Sequence, residues 1–156
     1  MSTTIYYAAL VLHVAGITLM AGTSFIDLIA FHTFRKAYSR DNKESLAMIA
    51  FLNKLQHFLG IGMGLILLSG IIMMAKMHEI WGAQLWFRIK MILLLLVIFN
   101  GLGLRRVLGN RLNKLVALSS PQGGEWARLT TSFYLVEIIQ LILFVLIFTL
   151  SVFKFN

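Results

Sequence analysis

Long apolar blocks bounded by polar runs dominate this chain. Four are long enough to cross a bilayer, since about 18 or more consecutive apolar residues read as a span. They cover residues 5–31, 52–75, 85–104 and 132–153. The pattern predicts an all-α integral membrane protein, an up-down four-helix bundle with short connections, as one domain over residues 1–156. Tyr6, Tyr7, Trp81, Trp86, Trp126 and Tyr134 fall near span ends, where amphipathic rings favour the headgroup layer. Ser2, Thr3 or Thr4 can cap the first helix. Asp41 followed by Glu44 has the logic of a capping box, so the second helix should start near Asn42. The run Ser119-Ser120-Pro121-Gln122-Gly123-Gly124 predicts a break before the last span.

Composition sharpens this picture. The chain is 59% hydrophobic and 13% charged, whereas soluble domains carry about 25% charged residues. It has no cysteine, which excludes disulfides, thiolate chemistry and iron–sulfur clusters. The N-terminus has no positive charge and its apolar stretch is too long for a cleaved signal peptide. The net charge of +8 is not a nucleic-acid footprint, because of where it lies. Arg35, Lys36, Arg40, Lys43 and Lys54 stand between spans one and two; Arg105, Arg106, Arg111, Lys114 and Arg128 stand between spans three and four. By the positive-inside rule both termini should face out (periplasmic, if bacterial), with loops one and three cytoplasmic and in contact with anionic lipid. The expected location is the inner (plasma) membrane.

Ionisable residues within spans cost about 2.5–3.5 kcal/mol each and usually serve a purpose in the bundle interior. Depth can be estimated from distance to each span midpoint. His13 then lies about 6 Å, and Lys90 about 7–8 Å, toward the outside. His57 lies about 10 Å, and Glu137 about 7–8 Å, toward the cytoplasm. Two polar layers result, His13 with Lys90 and His57 with Glu137. Asp27, near the cytoplasmic boundary, is expected to pair with loop-one cations. His13-Val14-Ala15-Gly16 echoes His57-Phe58-Leu59-Gly60, and a glycine one turn from each histidine lets a helix or a flat cofactor approach. Gly60 and Gly64 form a small-xxx-small pair that would allow a homodimer. Each site also has a structural reading: Lys90 can snorkel, and Glu137 with His57 can be a packing hydrogen bond.

"LVLHVAGITLMAGTSFIDLIAFHTFRK", with Leu12-His13, Ala21-Gly22 and His32, resembles the first helix of the HemJ-type membrane protoporphyrinogen IX oxidases. "LWFRIKMILLLLVIF", with Lys90, is similar to that family's third helix, and "FYLVEIIQLILFVLIFTLSVFKFN", with Glu137 and Phe153-Lys154, to its last. The related CopD-like four-helix membrane families share much of this pattern. The resemblance implies haem b with His13 as iron ligand and Lys90 as the essential lysine and possible second axial ligand. Gly16 would leave room beside the ring, and Arg88 would pair with a propionate. The implied reaction is oxidation of protoporphyrinogen IX with electrons passed to quinone, with Lys90, Glu137 and His57 as catalytic or proton-relay groups. The chain departs from the pattern at Met20, Val136 and His57. Two other classes remain open: a copper-handling or transport protein using Met73, Met74 and Met77 as soft ligands, and a non-catalytic assembly subunit.

Overall fold

The computed structural model describes residues 2–38, 42–117 and 123–153. Every element among them is helical: α1 (Thr3–Tyr38), α2 (Asn42–Trp81), α3 (Leu85–Ile98), a π turn (Phe99–Leu104), α4 (Arg105–Ala117) and α5 (Gly123–Phe153). Four stretches are long and apolar enough to span a membrane: Thr3–Lys36, Ala47–Lys76, Leu85–Ala117 and Gly124–Phe153. The chain is an all-α four-helix membrane bundle. The capping box at 41–44, residues 119–122 of the break, Lys154, and the side chains of Met77, His78 and Trp81 lie outside the described residues; Gly123 and Gly124 of the same run begin α5.

The helices outrun the apolar blocks that predicted them. α1 has 36 residues and α2 has 40, so they reach about 54 and 60 Å. The hydrocarbon core is only about 30 Å thick, so polar residues continue both helices beyond it. α2 starts at Asn42, where the sequence placed it. The third crossing corrects an expectation. It does not end at Leu104 but continues through the π turn into α4, carrying Arg105 with it.

α1 packs along α2, and α3 with α4 packs along α5; the two hairpins join through α1 against α5 and α4 against α2. Glycines set the closeness of the first pair. A Cβ on Gly16 would stand 3.0 Å from Ile66 Cγ1 and 3.0 Å from Leu65 Cβ. One on Gly62 would stand 3.1 Å from Met20 Cβ and 3.2 Å from the Gly16 carbonyl oxygen. Backbone therefore meets backbone here, the use that membrane helices make of small residues. Gly60 and Gly64 have no such neighbour among the described residues.

Two apolar clusters fill the interior. One, at the basic end of the bundle, holds Phe31, Phe34, Leu52, Leu55, Leu112 and Phe133. The other holds Met20, Leu59, Met63, Ile66, Val97 and Leu143. Val11, Leu68, Ile71, Leu95, Val145 and Phe148 point outward, as expected of side chains that meet lipid.

Candidate functional site: a buried ionic cluster between two apolar layers

Along three of the four crossings, a buried charged residue separates the two clusters. On α1, Asp27 lies between Met20 and Phe31; on α5, Glu137 lies between Phe133 and Leu143; on the third crossing, Arg105 lies between Val97 and Leu112. These three converge. The Arg105 Nε–H donates to Asp27 Oδ2 at 2.8 Å and to Glu137 Oε1 at 2.6 Å. The Arg105 Nη2 group donates to Asp27 Oδ2 as well. Both acids are 0% exposed and Arg105 is 2% exposed. The guanidinium also lies 5.5 Å from the centre of the Phe133 ring, within cation–π range.

The π turn makes this meeting possible. The Arg105 backbone N–H bonds to the Asn100 carbonyl, an i→i+5 link. In an α-helix five residues rotate a side chain by about 500°, leaving Arg105 roughly 140° away from Asn100. The wider turn holds more residues per turn and so swings Arg105 back toward the side that Asn100 faces. Asn100 thus faces α5, where its Nδ2 donates to the Val136 carbonyl at 2.9 Å and to Gln140 Oε1 at 2.7 Å. Arg105 follows on the same side one turn later. Gly101 admits the Gln140 amide, whose Nε2 would stand 3.5 Å from a Cβ there.

The cluster is not fully satisfied. Asp27 Oδ1, Glu137 Oε2, Ser24 Oγ and Gln140 Nε2 are buried without a hydrogen-bond partner among the described residues. Buried polar atoms are nearly always paired, so the unpaired oxygens of the two acids mark a place where water or a proton belongs.

Two expectations are corrected here. Asp27, expected to meet loop-one cations, pairs with Arg105 of the third crossing. Glu137 pairs with Arg105 and not with His57. His57 is exposed because α2 buries the stripe Leu52, Leu55, Leu59, Met63 and Ile66, whose 3–4 residue spacing leaves position 57 on the outer face. Its neighbour Gln56 is half-buried and lines the same two clefts as Arg105. Sequence reasoning missed Arg105 by counting it as a loop cation.

Toward the other end of the bundle, the half-buried His13 packs over Gly70 of α2, its Cε1 3.7 Å from where a Cβ would be. Its Nδ1 lies 2.9 Å from Ser69 Oγ. The Ser69 hydroxyl donates to the Leu65 carbonyl at 2.5 Å, so its oxygen accepts from His13 Nδ1–H. That leaves Nε2 as the ring nitrogen not engaged with Ser69, and in the neutral ring it is the one that can ligate a metal. Lys90 on α3 is half-buried and within electrostatic reach of this ring. The donor chemistry of His13 therefore fits a haem ligand. Gly16 does not leave the space expected of it, because Leu65 and Ile66 of α2 occupy that face. Arg88 is exposed and its Nε donates to the Gly82 carbonyl at 3.1 Å, tying down the turn before α3. Among the described residues no three His, Asp or Glu side chains converge as a metal site. No family model, curated protein or solved structure matches the chain.

Proposed function

We propose that this chain is a proton-handling membrane protein in which Asp27 and Glu137 together take up and release one proton beside the fixed charge of Arg105. The observation that carries this reading is two fully buried carboxylates sharing one guanidinium, each with a second oxygen unpartnered. With both acids ionised the cluster has one negative charge in excess, which low-dielectric surroundings strongly disfavour. One added proton neutralises the cluster, and two acidic oxygens on the same N–H give it neighbouring places to reside.

The test is infrared difference spectroscopy of the protein in lipid across a pH titration. A carboxyl C=O band that appears with protonation, shifts in deuterium oxide and vanishes in Glu137→Gln or Asp27→Asn supports the reading. A spectrum with no titrating carboxyl band lost in either variant overturns it.

His13 favours a second reading, a b-type haem redox protein. His13 Nε2 would hold the iron and Lys90 would be its neighbour or second ligand, while Ser69 keeps the ring in the ligating tautomer. Haem would supply one-electron transfer. Asp27 and Glu137 would then accept protons released by oxidation of a porphyrinogen, with quinone as electron acceptor. Oxidised and dithionite-reduced absorption spectra of purified protein test it. A Soret band lost in His13→Ala supports it, and protein that stays colourless when expressed with excess haem overturns it.

A further inference from the structure

The ionic cluster lies between two apolar layers, so a proton needs a way through one of them. The layer at the basic end has a polar seam. Asn113 Nδ2 on α4 donates to Asn53 Oδ1 on α2 at 3.2 Å. One turn deeper on α2, Gln56 Oε1 would stand 3.7 Å from a Cβ on Gly109 of α4, so the missing side chain at Gly109 leaves space beside Gln56. Asn53, Gln56, Gly109, Asn113 and Arg105 line one narrow cleft. A second cleft, deeper and walled mainly by Met20, Leu59 and Met63, also touches Gln56 and Arg105 and ends at Gln140. Each has room for about one water molecule. Gln140 is 2% exposed and its Nε2 has no hydrogen-bond partner among the described residues. A buried amide donor at the wall of a water-sized cleft is itself a reason to place water there. On the far side of the cluster the polar pair between facing helices is His13 with Ser69, and neither of these two residues lines either cleft.

We propose that water and protons reach the Asp27–Arg105–Glu137 cluster from the basic end, through the α2–α4 seam, with Gln56, which lines both clefts, as the positioning residue. Asn53 and Asn113 hold the mouth. Gln56 carries both a donor and an acceptor, so it can hold one water against the edge of the guanidinium that both acids share. The second cleft then places another water within the reach of Gln140. This inference rests on the reading of the two acids as a proton site, but it concerns access and direction, and its failure is distinguishable.

The cysteine-free sequence supplies the test without background. Single variants Asn53→Cys, Gln56→Cys and Ile66→Cys are reconstituted in oriented vesicles and exposed to a charged, membrane-impermeant methanethiosulfonate reagent on either side. The reagent needs a thiolate, hence water. Cysteines at 53 and 56 should react at least about tenfold faster than the one at 66, and only when reagent is added at the basic end. Equal rates at 56 and 66, or reaction from the opposite side, overturn the route. In parallel, Gln56→Leu should slow proton uptake measured by the Glu137 infrared band at least about tenfold after a pH jump, leaving its final amplitude intact. Gln56→Asn should restore part of the rate. An unchanged rate in Gln56→Leu overturns the role of Gln56 while the carboxyl band still reports on the proton site itself.

Discussion

Removing Arg105 is the most informative perturbation of the fold. Arg105→Met keeps an unbranched apolar stem but deletes the donors that bind both acids. Breaking a buried ion pair from one side costs about 3–5 kcal/mol, because the partner is left buried and uncompensated. Loss of the contact with Phe133 adds roughly 0.5–2 kcal/mol. Two acids remain, so protonation of both limits the damage and the lower part of the range is expected. A loss of about 3 kcal/mol is a factor of roughly 150 in the folding equilibrium. The triple variant Asp27→Leu, Arg105→Met, Glu137→Leu should recover most of it, since apolar replacement of a whole buried ionic group is often neutral or stabilising by about 1–4 kcal/mol. Reversible unfolding in mixed micelles, followed by near-ultraviolet circular dichroism, measures all three proteins. Wild-type stability in Arg105→Met, or a triple variant weaker than the single one, would refute the claim that Arg105 compensates two buried charges.

Smaller predictions come from particular positions. Gly16→Ala should destabilise the α1–α2 pair by about 1–3 kcal/mol, because its Cβ meets Leu65 and Ile66 at 3.0 Å. Gly60→Ala, with open space around it, should not lower stability in the same unfolding assay. Asn100→Leu loses two bonds to α5 and should cost about 1–2 kcal/mol; amide exchange along α5 near Val136 should quicken. Ser69→Ala removes the oxygen that accepts from His13, so nitrogen NMR of His13 should change from one tautomer to a mixture. His57→Ala should change stability by less than about 0.5 kcal/mol, as for other exposed positions, and should leave the carboxyl infrared band in place; loss of that band would restore His57 to the site.

Burial of Gly16 and exposure of Gly60 show why similar local sequences took different roles. His13-Val14-Ala15-Gly16 and His57-Phe58-Leu59-Gly60 look alike as strings. Which face a helix turns inward depends on all its apolar residues together. On α1 the inward stripe includes Ala9, Gly16, Met20, Thr23 and Asp27, and on α2 it includes Leu52, Leu55, Leu59, Met63 and Ile66. Gly16 falls on its stripe; His57 and Gly60 fall off theirs. The depth estimate that brought His13 near Lys90 used rise along the axis, which accumulates evenly, and the two are within electrostatic reach. The same estimate brought Glu137 near His57, where rotation decided otherwise.

The sequence by itself determined that this is a helical membrane protein with four crossings, because the length of an apolar run is a local quantity and the bilayer is a solvent of fixed thickness. It also showed that charges inside those crossings should matter. Only the tertiary structure decided which charges meet. Arg105 stands at the head of a basic run and reads as a loop cation, yet an i→i+5 turn at Asn100 rotates it inward between Asp27 and Glu137. One residue more in one helical turn shifts every later side chain on that crossing, and no count of hydrophobic positions at a 3.6-residue period reveals it.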